Sequence, residues 1–127
     1  MNLEKVIFGF FIVLAATLNF GFFIGEIDNA AHHDVFELFA AITVNLIATV
    51  LKFGDRTQIG AIHLATSLVA DLQLIAAGVY WAYAVHIAGV GMTPSVTSSV
   101  VSLAAGAMLA NVVSVVILIA ETVMMRR

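Results

Sequence analysis

Apolar residues run along this chain in four long blocks separated by short polar interruptions. Residues 6–25 carry no charge and only Thr17 and Asn19 as polar groups; residues 35–51, 59–83 and 96–120 follow. A helix needs about 20 mainly apolar residues to cross a hydrocarbon core. The pattern predicts an all-α integral membrane protein, a four-transmembrane-helix bundle in one domain spanning residues 1–127. The first block is expected to be retained and not cleaved as a secretory leader. Its apolar run exceeds the about 7–15 residues of a signal core, and no small-x-small cleavage site follows.

The interruptions agree with four crossings. Glu26 to Asp34 separates the first two blocks, and Lys52-Phe53-Gly54-Asp55-Arg56 forms a turn after the second. The third block stays apolar to about Val90, with Tyr80, Trp81 and Tyr83 suited to the headgroup level. Gly89, Gly91 and Pro94 then make a connection, and proline fits the first turn of a new helix. The bases are Lys5, Lys52, Arg56, Arg126 and Arg127. With four crossings all of them fall on one side, which the positive-inside rule makes cytoplasmic. Both termini are then expected inside a cell (inner) membrane. An odd number of spans would strand some bases outside, and the strong bias argues against a dual-topology dimer.

Composition reinforces the class. The chain is 62% hydrophobic and 10% charged, with a mean hydropathy of +1.10, whereas soluble domains are nearer half apolar and a quarter charged. In water such a chain would expose apolar patches that monomers rarely tolerate. No basic stripe points to nucleic acid. The absence of cysteine excludes disulfides, thiolate metal sites and cysteine nucleophiles. No nucleophile elbow or phosphate-binding glycine loop is present, so neither an enzyme nor a cofactor is expected.

Helices in lipid associate through small residues that let backbones approach. Ser98, Ser102, Gly106, Ala110 and Ser114 recur at four-residue steps along the last block, and Thr17, Gly21 and Gly25 do so along the first. These are the candidate packing faces. Four short helices enclose little volume alone, so a homo-oligomer is expected.

Polar residues within the apolar blocks carry the candidate chemistry. His33, Glu37, Ala41, Asn45, Ala48 and Lys52 fall on one face of the second helix. His63, Thr66, Ser67, Ala70, Asp71, Gln73 and Gly78 form a broader face on the third. Asp71 is near mid-span, where a charge costs about 2.5–3.5 kcal/mol on insertion scales, and intramembrane acids are functional by default. It either lines an ion path or is held by Asn45, Asn111 or Lys52 as interhelical glue. His63 reads as a hydrogen-bonding residue with pH-sensing capacity, and Glu121, close to Arg126 and Arg127, as interfacial.

The segment 26–37 holds Glu26, Asp28, Asp34 and Glu37 with His32 and His33, and no cation. A negative rim at the outer mouth would concentrate cations, His32 and His33 would make flux pH-sensitive, and a solvated loop is the bland alternative. His33 and Glu37, four residues apart, could also converge on a metal with Asp34 or His32. The leading expectation is a small oligomeric channel or carrier for an inorganic cation, with Glu26, Asp28, Asp34, Glu37, Asn45 and Asp71 on the ion pathway. The alternative is a non-conducting accessory subunit of a larger membrane complex. One local stretch, Thr49-Val50-Leu51-Lys52-Phe53-Gly54-Asp55, resembles the TVGYGD selectivity filter of potassium channels, with an extra position and a lysine. That resemblance implies a re-entrant loop over residues 35–55 and three crossings, which the distribution of bases opposes.

Overall fold

The computed structural model describes residues 3–26, 28–55 and 57–125. Among them every regular element is helical and no strand occurs. Leu3–Phe23 forms α1, Val35–Lys52 α2, Gln58–Ala82 α3 and Pro94–Met125 α4. A short 3-10 turn, Ala30–His32, precedes α2, and a π-helical turn, Tyr83–Ile87, prolongs α3. All four helices are long and apolar enough to cross a membrane, the pattern of a multi-pass membrane protein. At 18 residues, α2 is about 27 Å long and barely spans a core of about 30 Å. The 32 residues of α4 reach about 48 Å, so that helix must tilt or project.

The ends are set by local chemistry. Asp34 caps α2 by accepting the Phe36 N–H at 2.9 Å, and Thr57 caps α3 by accepting the Gly60 N–H at 2.9 Å. Helix α1 stops at Phe23, two residues short of the expected end. Gly25 takes a φ of 110°, and a Cβ there would strike the His32 ring. Beyond α3, the Ala84 carbonyl accepts N–H groups from Val90 and Gly91 at 3.0 and 3.1 Å, closing the turn.

The helices pack as a ring in chain order, with α3 and α4 most extensively joined and α4 returning to α1. An ion pair between Lys5 and Glu121 ties the start of α1 to the end of α4. The same end holds Lys52 and Asp55 at the α2–α3 turn, and is called the basic end below. The opposite, acidic end carries the α1–α2 connection with Glu26, Asp28 and Asp34. Arg56, Arg126 and Arg127 lie outside the described residues.

Each helix turns one stripe inward. On α1 it is Phe8, Ile12, Ala15, Asn19 and Phe22; on α2 it includes Leu38, Ala41, Asn45, Ala48 and Lys52. Large apolar side chains such as Phe36 (86% exposed) and Leu72 (70%) point outward, where lipid solvates them. Apolar packing fills two regions. Phe22, Leu38, Ala41, Leu74, Ala77 and Val100 belong to the larger one, toward the acidic end. Phe8, Ile12 and Ala48 make the smaller one near the basic end. Trp81 packs between Phe39 and His86, with ring centroids 5.5 and 5.3 Å away, while Tyr80 and Tyr83 stay exposed beside it.

The candidate packing residues divide. Ser114 is buried, Ser98, Gly106 and Ala110 are half-buried, and Ser102 is exposed. A row of strict four-residue steps is inclined to the helix axis, so it winds from the outside of the bundle to its interior. The inward stripe of α4 is instead Thr97, Val100, Val101, Ala104, Ala107, Asn111 and Ser114. Gly106 matters locally, because a Cβ there would run into the Gln73 carboxamide. Gly21 likewise makes room for the Glu37 carboxylate, and Gly25 sits exposed in the loop.

Candidate functional site

A polar layer lies between the two apolar regions, and Asp71 is its centre. Asp71 is buried, 6% exposed as a residue, in the middle of α3. Its partners come from α2: Asn45 Nδ2 donates to Oδ1 at 2.9 Å, and Thr49 Oγ1 lies 2.5 Å from Oδ2. The second Asn45 N–H reaches the Ser67 carbonyl at 3.4 Å. Both donors are neutral, and among the described residues Asp71 belongs to no ion pair. Asn45, Ala41 and Leu38 are on the inward face of α2 because the helical period returns every third or fourth residue to one side. Asn45 and Asp71 therefore meet inside the helix bundle, not on its outer surface.

Of the partners expected for Asp71, Asn45 is the one found. Lys52 turns toward the basic end, and Asn111 is buried with neither amide atom hydrogen-bonded. Thr49 was missed. It stands one turn after Asn45 on the same stripe, and that spacing is the signal that would have found it. Its position also bears on the filter resemblance: Thr49 to Lys52 are the last turn of a continuous α2, so no extended, carbonyl-lined filter forms there.

Toward the basic end, His63 is fully buried with its ring 5.0 Å from that of Phe8. Its Nδ1 lies 2.7 Å from Ser114 Oγ, and its Nε2, lacking a hydrogen bond, is 3.9 Å from Glu121 Oε1. Glu121 was expected merely to accompany the terminal arginines. It pairs with Lys5 across the α1–α4 seam and reaches toward His63; Arg126 and Arg127 lie outside the described residues. Lys52 extends over the Phe8 ring, 4.3 Å from its centroid, and donates to Asp55 at 3.3 Å. Thr57 donates both its hydroxyl (2.7 Å) and its amide (2.9 Å) to Asp55 Oδ1. These bonds, with a smaller contribution from Lys52, hold the Asp55 carboxyl below the usual carboxylate range. A cavity of about 680 Å³ opens at this end, its lining including Lys5, Phe8, Lys52, Asp55 and Glu121.

At the acidic end, Glu26, Asp28 and Asp34 are exposed and Glu37 is half-buried against Gly21. His32 is exposed and accepts the Glu26 N–H through Nδ1 at 2.9 Å. His33 is buried and faces two backbone carbonyls: Nδ1 lies 2.5 Å from Phe22 O and Nε2 2.6 Å from Glu26 O. With both nitrogens so engaged, His33 is not presented to a metal beside Glu37. Among the described residues no group of three or more His, Cys, Asp or Glu is placed to hold a metal ion.

Residues 32–122 match the model of a family of unknown function (DUF6394), and this span includes α2, α3, Asp71 and His63. The chain belongs to that family. No curated protein and no solved structure matches it.

Proposed function

We propose that the protein moves a cation across a prokaryotic-type inner membrane, as a small channel or carrier with both termini cytoplasmic and with Asp71 as the binding group in each subunit. The observation that carries this reading is the mid-span carboxylate held only by the neutral groups of Asn45 and Thr49. A buried acid without a countercharge either binds a cation or takes up a proton, since isolated charge in a low-dielectric interior is costly. The cavity at the basic end gives the polar layer an aqueous neighbour. Exposed Glu26, Asp28 and Asp34 would raise the local cation concentration at the other mouth. The basic end is cytoplasmic in this reading, by the positive-inside rule. Subunits associate through the part of the α4 ridge left open at Ser98 and Ser102.

The test is ion flux through liposomes containing the purified protein. Cation-selective flux that is lost in Asp71→Asn and reduced in Glu37→Gln is the expected result. Vesicles that stay tight under every cation gradient would refute the proposal. A second reading, a non-conducting accessory subunit, draws on the same open serines as a docking face for another membrane helix. Recovery from native membranes with a stoichiometric partner, together with no flux, would favour it.

A further inference from the structure

We propose that the cation is the proton, and that His63 relays it between the cavity at the basic end and Asp71. This rests on the cation-transport reading of Asp71 and narrows it.

The hydrogen-bond pattern at Asp71 suits a proton better than a metal ion. Asn45 turns one N–H, not its oxygen, toward the carboxylate and the other toward the Ser67 carbonyl, so a metal ion beside Oδ1 would face a donor. Hard cations such as calcium gather about 6–8 oxygen ligands, and here Thr49 supplies the other close oxygen. That hydroxyl lies between two acceptors, 2.5 Å from Asp71 Oδ2 and 2.9 Å from the Asn45 carbonyl oxygen, and it has one hydrogen. When Asp71 is a carboxylate, Thr49 donates to it. When Asp71 is protonated, its own O–H donates to Thr49, whose hydrogen turns to the Asn45 carbonyl. In both states Thr49 Oγ1 and Asp71 Oδ2 share a hydrogen bond, so the proton comes and goes without breaking the α2–α3 contact.

Polar groups continue from this point to the cavity. His63, Ser67 and Asp71 are spaced four residues apart on the inward face of α3, about 6 Å of rise per step. Ser67 Oγ, Asn45 Oδ1 and both amide atoms of Asn111 are buried without hydrogen-bond partners. Ser67 and Asn111 stand on two helices between His63 and Asp71, and Asn45 stands beside Asp71, where water can bridge them. Below them Ser114 bonds His63 Nδ1, and His63 Nε2 looks to Glu121. The cavity wall carries that same Glu121.

The transfer balances. His63 Nε2 takes a proton that arrives through the cavity as hydronium, either directly or after it has first been taken up by the Glu121 carboxylate, as Nδ1 releases its own toward Ser114. Each hydroxyl or water on the path accepts one proton and passes on another, and the Asp71 carboxylate becomes the carboxylic acid. Return of His63 to its first tautomer resets the relay. The titratable groups on the facing elements are Lys5 of α1, Glu37 and Lys52 of α2, His63 of α3 and Glu121 of α4. Glu37 and His63 lie about 12 Å from the level of Asp71 by helical rise, and Lys52, one turn beyond Thr49, turns its amine away to Asp55. The His63 relay reaches Asp71 from the basic end; toward the acidic end the buried polar side chains Asn19 and Thr97 stand among Leu38, Leu74, Ala77 and Val100, and it is past them that the proton leaves.

The experiment uses full-length protein in liposomes with a trapped pH dye and a potassium diffusion potential, alongside sodium and potassium flux on the same vesicles. Proton flux should fall to the vesicle background in Asp71→Asn. It should fall at least tenfold in His63→Phe and His63→Gln, and added imidazole should restore part of it in both. Infrared difference spectra should contain a protonated-carboxyl band that titrates in the wild type and is missing from Asp71→Asn. Sodium or potassium flux that needs Asp71, without proton flux, would overturn the proton assignment and leave cation transport standing. No flux of any cation would overturn both. Proton flux unchanged in both folded His63 variants would overturn the relay.

Discussion

Replacing Thr49 with valine tests the polar layer at its most informative atom. The side chains are nearly the same size, so the change removes one hydroxyl and little packing. Thr49 Oγ1 stands 2.5 Å from Asp71 Oδ2 and is itself only 4% exposed. In Thr49→Val, Oδ2 loses its only hydrogen-bond partner among the described residues, while Asn45 still serves Oδ1 at 2.9 Å. Interhelical polar bonds in membranes average about 0.6 kcal/mol and reach about 1.7. A hydrogen bond to a charged group in a protein is worth about 1.5–3. Two helices meet here around a buried carboxylate, so a loss near the upper membrane value, about 1.5 kcal/mol, is expected. The assay is reversible unfolding in mixed micelles, run as a double-mutant cycle with Asp71→Ala. Most of the loss should appear as coupling between the two sites, and Thr49→Ser, which keeps the hydroxyl, should recover it. A coupling below about 0.3 kcal/mol, the scatter expected of independent sites, would refute the contact and with it the two-acceptor role of Thr49.

Three further outcomes follow from other parts of the structure. Gly106→Leu drives a side chain into the Gln73 carboxamide; it should cost about 1–3 kcal/mol by overpacking, and Gly106→Leu with Gln73→Ala should recover part of that in the same unfolding assay. His33→Ala removes the ring that spans the Phe22 and Glu26 carbonyls, so hydrogen exchange should speed up around residues 24–32 while the amides of α3 and α4 keep their protection. Asp55 has a folded-state pKa below its unfolded value, so its contribution is present above the unfolded pKa and is lost as pH falls through the folded one. The Thr57 amide should therefore exchange faster in Asp55→Asn than in the wild type at neutral pH, and the difference should vanish on acidification.

Much of the architecture is legible in the chain because the bilayer imposes it. Water is absent from the hydrocarbon core, so every backbone group must be paired within the segment and a helix is the solution for each apolar block. Block lengths and polar interruptions thus predict four helices, and Val35–Lys52 and Gln58–Ala82 lie close to the expected 35–51 and 59–83. Period alone also groups Asn45 with Lys52 and His63 with Asp71, since one helix face is a property of local geometry. The Lys5 partner of Glu121 was not legible in the sequence, because Lys5 reaches it only through the closure of α4 onto α1.

What the sequence by itself determined is the class of molecule, the number of its apolar helices and the depth of its one mid-span acid, all consequences of hydropathy and helical rise. Which groups meet was decided by the tertiary structure. Thr49 and Asn45 share Asp71, Ser114 holds His63, and the four-residue ridge of α4 winds out of the interior so that Asn111 and Ala107 face inward instead. The reason is that a helix face has a direction only once its neighbours are in position, and no spacing along one chain segment specifies how its stripe is rotated against the next.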